Sequence, residues 1–84
     1  MELVLYSRLG CHLCERMEQE LAELAAELRF TLRVEDVDRR EDWRAAYGND
    51  VPVLTTGDGR EVCRHYLDAA ALRTMLDPAG RAAG

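Results

Sequence analysis

Lysine does not occur in this chain of 84 residues; all 11 basic side chains are arginine, a compositional bias to which no mechanism is attached. Long apolar runs are missing too: nothing approaches the ~20 residues of a membrane span, so no membrane segment is expected. Met1-Glu2-Leu3 leads straight into an apparent strand without a basic segment or an apolar h-region, and the cytosol is the expected compartment, with thiols mostly reduced. Positive charge is outnumbered, 11 basic against 16 acidic residues for a net charge of −5, which repels phosphate backbones and argues against nucleic acid as the main partner. Cysteine is present only three times, an odd count that does not suit a disulfide-stapled scaffold. No internal repeat, low-complexity tract or linker is visible. The length allows one small domain, burying ~60–65% of the surface its unfolded chain exposes, and a monomer is expected.

What is there is Gly10-Cys11-His12-Leu13-Cys14, two thiols three residues apart, after the apolar run Leu3-Val4-Leu5-Tyr6 and before a long helical pattern. At i and i+3 in a helix's first turn the two sulfurs lie on one face, close enough to form a small disulfide ring. The unpaired N–H groups and the positive end of the helix dipole face the first sulfur and favour thiolate over thiol. A thiolate is the nucleophile of disulfide exchange. The alternative is a pair of structural cysteines buried as small apolar groups.

Residues 2–6 read as a buried strand ended by Ser7-Arg8-Leu9-Gly10, with Gly10 permitting a tight turn. From His12 to about Leu28 the positions Met17, Leu21, Leu24 and Leu28 form the stripe of a helix packed on a sheet, while the glutamates lie mostly off it. Phe30, Leu32 and Val34 alternate with polar residues, so a second strand follows, and strand-helix-strand normally makes a parallel right-handed crossover. Asp38 and Glu41 read as a capping box for a short helix carrying Trp43, Ala46 and Tyr47, ended by Gly48. Val51–Thr55 reads as a strand entered through Pro52, Gly57-Asp58-Gly59 as a hairpin, and Arg60–Cys63 as the fourth strand. Asp68 is expected to cap a last helix, with Leu67 and Leu72 as a hydrophobic staple, Ala69, Leu72, Met75 and Leu76 as its apolar face, and Asp77-Pro78 as its end. The domain is then residues 1–78, and 79–84 form a loose tail.

The order β-α-β-α-β-β-α, with a cysteine pair opening the first helix and Val51-Pro52 opening the third strand, resembles the thioredoxin fold, an α/β architecture with a four-stranded mixed sheet and three helices. Leu5-Tyr6-Ser7-Arg8 before the cysteines, the lack of extra N-terminal elements and the Asp-Gly hairpin make it look most like the small glutaredoxin-like proteins. That resemblance implies a thiol–disulfide oxidoreductase in which Cys11 attacks and Cys14 resolves the mixed disulfide. It also implies a cis peptide at Val51-Pro52 facing the cysteines, with Val51 offering backbone hydrogen bonds to a bound peptide or to glutathione. Arg8 matches a basic position that in glutaredoxins contacts the glutathione carboxylate; a solvated loop arginine is the other reading. His12 either raises positive charge beside Cys11 or is a plain exposed helix residue. The implied partners are a disulfide-containing protein or glutathione as co-substrate, with no bound cofactor and no metal. Departures are visible: the paired glycine that glutathione-dependent members carry after the last strand is replaced by Cys63-Arg64-His65, His12-Leu13 stands where Pro-Tyr is usual, and the buried acid of thioredoxins has no good match.

Two readings of other classes stay open. Cys11, Cys14, Cys63 and His65 would supply a Cys₃His set suited to zinc or an iron–sulfur centre, although Cys63-x-His65 is not a usual ligand pair. Alternatively the fold binds a partner peptide without redox turnover. Trp43 and Tyr47 are expected to pack rather than to bind ligand. Cys63 is expected on the sheet face opposite to Val62, as an inert, partly buried residue or as a thiol that blocks glutathione or accepts a disulfide from the pair.

Overall fold

In the computed structural model, which describes residues 1–76, the chain runs β1 (Glu2–Ser7), α1 (His12–Leu28), β2 (Thr31–Asp36), a 3₁₀ turn (Val37–Arg39), α2 (Glu41–Tyr47), β3 (Val53–Thr56), β4 (Glu61–Arg64) and α3 (Ala69–Leu76). The described residues form one four-stranded sheet in the order β2-β1-β3-β4. β1 and β2 are parallel, and the β1–β3 and β3–β4 pairs are antiparallel. This is the mixed sheet with three helices that the sequence implies. Asp77-Pro78, the domain limit at 78 and the tail 79–84 lie outside the described residues.

Burial explains the elements. Leu3 and Leu5 alternate onto one face of β1 and meet Leu54 of β3, Met17 and Leu21 of α1, Phe30 and Leu72 of α3, all essentially withdrawn from solvent. Leu24 and Leu28 extend the α1 stripe as partly buried neighbours. α1 stops at Arg29, which turns left-handed (φ 58°) and returns its N–H to the Ala25 carbonyl, so the chain reverses into β2. Asp68 caps α3 as expected, its Oδ1 accepting the Ala71 N–H at 3.0 Å, and Leu67 packs on the same core.

Three local expectations are corrected. Asp38 does not cap α2: it lies in the 3₁₀ turn, α2 starts after Arg40 without a side-chain cap, and the Asp38 carboxylate is taken by Arg8. A charge-assisted, two-pronged arginine pair is a stronger claim on a carboxylate than a backbone amide. Val34 does not follow Phe30 and Leu32 inward; it is 39% exposed, because β2 is the edge strand and its far end is left uncovered. Val62 and Cys63 do not face opposite ways. The β3–β4 register pairs Leu54 with Cys63 but Thr55 with Glu61, so Val62 is the extra residue of a bulge, and both side chains pack against the core.

Candidate functional site

β1 ends at Ser7, and Arg8-Leu9-Gly10 turn the chain into α1. Gly10 sits at φ 79°, where a side chain would be strained. The turn closes with the Cys11 N–H donated to the Arg8 carbonyl at 3.2 Å. Cys11 is the N-cap of α1: its backbone is extended, and its Sγ accepts the Cys14 N–H at 3.1 Å. The sulfur thus fills the place a serine or aspartate oxygen takes at other helix starts. In the reduced protein the same N–H and the helix dipole favour negative charge on Cys11. Cys11 and Cys14 are joined as a disulfide with their Cα atoms 5.2 Å apart. Cys11 is half-buried and Cys14 is 2% exposed, so only the first sulfur meets solvent to any extent.

The Val51-Pro52 bond is cis, as the resemblance implies, and Pro52 is buried. Tyr6 pairs with Val53 and Val53 with Arg64, so the end of β1, the start of β3 and the end of β4 lie at one end of the sheet. That register brings the Val51-Pro52 loop and the cysteine turn to the same end of the molecule. His65 joins them there, donating its N–H to the Pro52 carbonyl at 2.8 Å from a left-handed backbone (φ 68°). Asp50 holds this corner through Arg64 Nη1 at 2.8 Å and His65 Nε2 at 3.5 Å. His12 projects into solvent, its ring 97% exposed with Nδ1 3.9 Å from Glu15.

Arg8 is engaged within the protein. Its Nε and Nη2 donate to Asp38 Oδ2 and Oδ1 at 2.9 and 3.0 Å, and Nη1 donates to the Gly48 carbonyl at 2.9 Å. The hydrogen bond from Arg8 holds the Asp38 carboxyl below the usual carboxylate range. A groove of about 280 Å³ runs beside this turn, touched by Arg8, Cys14, Glu18, Val34 and Arg39.

Tyr6 stacks on Tyr47 with ring centroids 4.3 Å apart and meets Trp43 edge-on at 5.6 Å, while Arg40 lies over Trp43 at 4.6 Å. These aromatics fasten α2 to the sheet. Among the described residues no three His, Cys, Asp or Glu side chains come together to hold a metal, so Cys11, Cys14, Cys63 and His65 do not assemble as a set. Cys63 is half-buried, and burial pushes its thiol up. Asp38, Gly48 and Asp50, which shape the site, escape sequence reasoning because their partners lie far along the chain.

A cysteine pair opening the first helix, a cis-proline before the third strand and this strand order define a protein of the thioredoxin fold. Thioredoxin 1 from Thermosipho africanus TCF52B shares that fold, with a TM-score of 0.59 at 17% identity over 96% of this chain and 92% of that one. The family model described as glutaredoxin-like domain (DUF836) matches residues 2–77, and the chain belongs to that family. Protein Ne2328 from Nitrosomonas europaea is similar in structure, with a TM-score of 0.81 and 36% identity over 90% of this chain and 91% of that one. So is XcR50 from X. campestris, whose X-ray structure gives a TM-score of 0.65 and 37% identity over 89% and 95% of the two chains. Rv0508 of Mycobacterium tuberculosis is 36% identical over 80 residues, 89% of this chain and 81% of its own length. A glutaredoxin-like domain with Cys11 and Cys14 at disulfide distance fits a thiol–disulfide redox role. No helix among the described residues is long and apolar enough to cross a membrane.

Proposed function

We propose that the protein is a thiol–disulfide oxidoreductase in which Cys11 is the nucleophile and Cys14 the resolving thiol. The observation that carries this reading is the asymmetry of the pair: Cys11 Sγ, half-buried at the helix start, accepts the Cys14 N–H at 3.1 Å, while Cys14 is 2% exposed. In the reducing direction the Cys11 thiolate attacks one sulfur of a substrate disulfide, forming a mixed disulfide and releasing the other sulfur as a thiolate. Cys14, deprotonated, then attacks the Cys11 sulfur; the Cys11–substrate bond breaks, the substrate leaves as its second thiolate, and the pair is left oxidised. Two electrons have passed from the pair to the substrate. The substrate is a disulfide-containing protein or a glutathione disulfide in the cytoplasm, held beside the Val51-Pro52 loop, with Val51 lending backbone groups to an extended segment.

Turnover of a small disulfide, followed with a thiol reductant, tests this. Cys11→Ser should abolish it, and Cys14→Ser should accumulate a mixed disulfide on Cys11. A Cys11→Ser protein that turns over at the wild-type rate sinks the assignment.

A further inference from the structure

The guanidinium of Arg8 is committed on three sides, to both carboxylate oxygens of Asp38 and to the Gly48 carbonyl, 30 and 40 positions further along the chain. Its backbone carbonyl meanwhile receives the Cys11 N–H. One residue therefore ties the cysteine turn to the 3₁₀ turn and to the end of α2. The tie is built on both sides. Asp36, paired with Ser7 across β1 and β2, accepts the Asp38 N–H at 2.9 Å and so fixes the carboxylate that receives Arg8. Gly48 is buried, and a Cβ there would lie 2.5 Å from the Arg44 carbonyl oxygen and 3.2 Å from Arg8 Nη2. The tightest of these contacts is with the α2 backbone, so glycine is required by the helix end, and the guanidinium packs closely against it.

From this arrangement we infer that Arg8 is a positioning residue: clamped by Asp38 and the Gly48 carbonyl, it fixes the Arg8-Leu9-Gly10 turn and thereby holds the Cys11 sulfur on the Cys14 N–H. The inference rests on Cys11 being the nucleophile, and it differs from two other roles for the same side chain. An arginine acting as a free charge beside the thiolate, or as a binding group for a substrate carboxylate, would be hampered by Asp38; a clamp requires Asp38.

The sign of one substitution separates these roles. In the reduced protein, Asp38→Asn and Arg8→Gln should both raise the pH midpoint of Cys11 alkylation, by about half a unit to one unit, or about three- to tenfold less thiolate at a pH below the midpoint. The combined variant should shift no further than either alone, because both break one tie. If Asp38→Asn lowers the midpoint while Arg8→Gln raises it, Arg8 acts as a direct charge and the clamp is overturned; an Asp38→Asn protein with an unmoved midpoint overturns it equally.

Hydrogen exchange of the Cys14 amide in the oxidised protein reads the clamp without reference to reactivity. Exchange should be several-fold faster in Asp38→Asn than in wild type. A wild-type rate in that variant overturns the clamp whichever thiol is reactive. Wild-type protein in which Cys11 is not the acidic thiol overturns the nucleophile assignment instead, and leaves the clamp to stand on the exchange rates.

Discussion

The two sulfurs nearest each other in sequence have opposite surroundings. Cys11 is half-buried with an amide hydrogen donated to it, and Cys14, one turn further in, is almost wholly withdrawn from solvent. The third, Cys63, lies half-buried against the core, its thiol pushed up by burial. A raised folded-state value means that stability is full below the unfolded thiol value near ~8.5 and is lost as pH rises through the folded value. Urea midpoints of the reduced protein should therefore fall between neutral and alkaline pH, and fall less in Cys63→Ala; an equal fall in both would remove the thiol from the explanation. Tyr6, whose hydroxyl is also pushed up by burial, keeps part of the alkaline loss in either protein. Cys11 and Cys14 were legible as a pair from their spacing. The partners of Arg8 were not, because its hydrogen bonds reach Asp38 and Gly48 across segments that only the folded sheet brings together.

At the level of elements, α1 was legible because Met17, Leu21, Leu24 and Leu28 repeat with the helical period and face one core. The start of α2 was not. Asp38 and Glu41 have the spacing of a capping box, yet the helix begins after Arg40, since the Asp38 carboxylate serves Arg8. Val62 and Cys63 show the same limit in a strand: alternation assumes an unbroken ladder, and a bulge in β4 turns both side chains toward the core. α3 obeys its local signal. Asp68 Oδ1 accepts the Ala71 N–H, so Asp68→Ala should lower unfolding stability by ~0.5–2 kcal/mol while Asp68→Asn recovers most of it. Chemical denaturation of the three proteins measures this, and an alanine variant as stable as wild type would show that the cap contributes nothing.

At the scale of the whole molecule, the charged pairs among the described residues lie near the surface and not in the core. Side-chain hydrogen bonds hold several carboxyls below their usual range: Arg8 on Asp38, Arg73 on Glu27, Arg40 on Asp42, Thr56 on Asp58 and Arg64 on Glu61. A lowered folded-state value gives stability that is present above the unfolded carboxyl range near ~4 and is lost as pH falls through the folded values. Unfolding midpoints should therefore drop on the acid side of about pH 4, and drop less in high salt, because these groups lie near the surface and are screened. Midpoints that stay level from neutral to strongly acid pH would contradict that linkage. The succession of elements and the mixed four-stranded sheet were legible in outline, since a cysteine pair at the first helix and Val51-Pro52 at the third strand mark one architecture. The Asp50 corner was not, because it depends on where Arg64, the last residue of β4, and His65 just after it come to lie.

The most direct test is mass-mapped alkylation of the reduced wild-type protein at about pH 6, where an ordinary thiol is almost wholly protonated. Cys11 should be labelled first, well ahead of the buried Cys14 and of Cys63 with its raised thiol. Labelling that reaches Cys14 or Cys63 before Cys11 would contradict the assignment of Cys11 as the attacking thiolate.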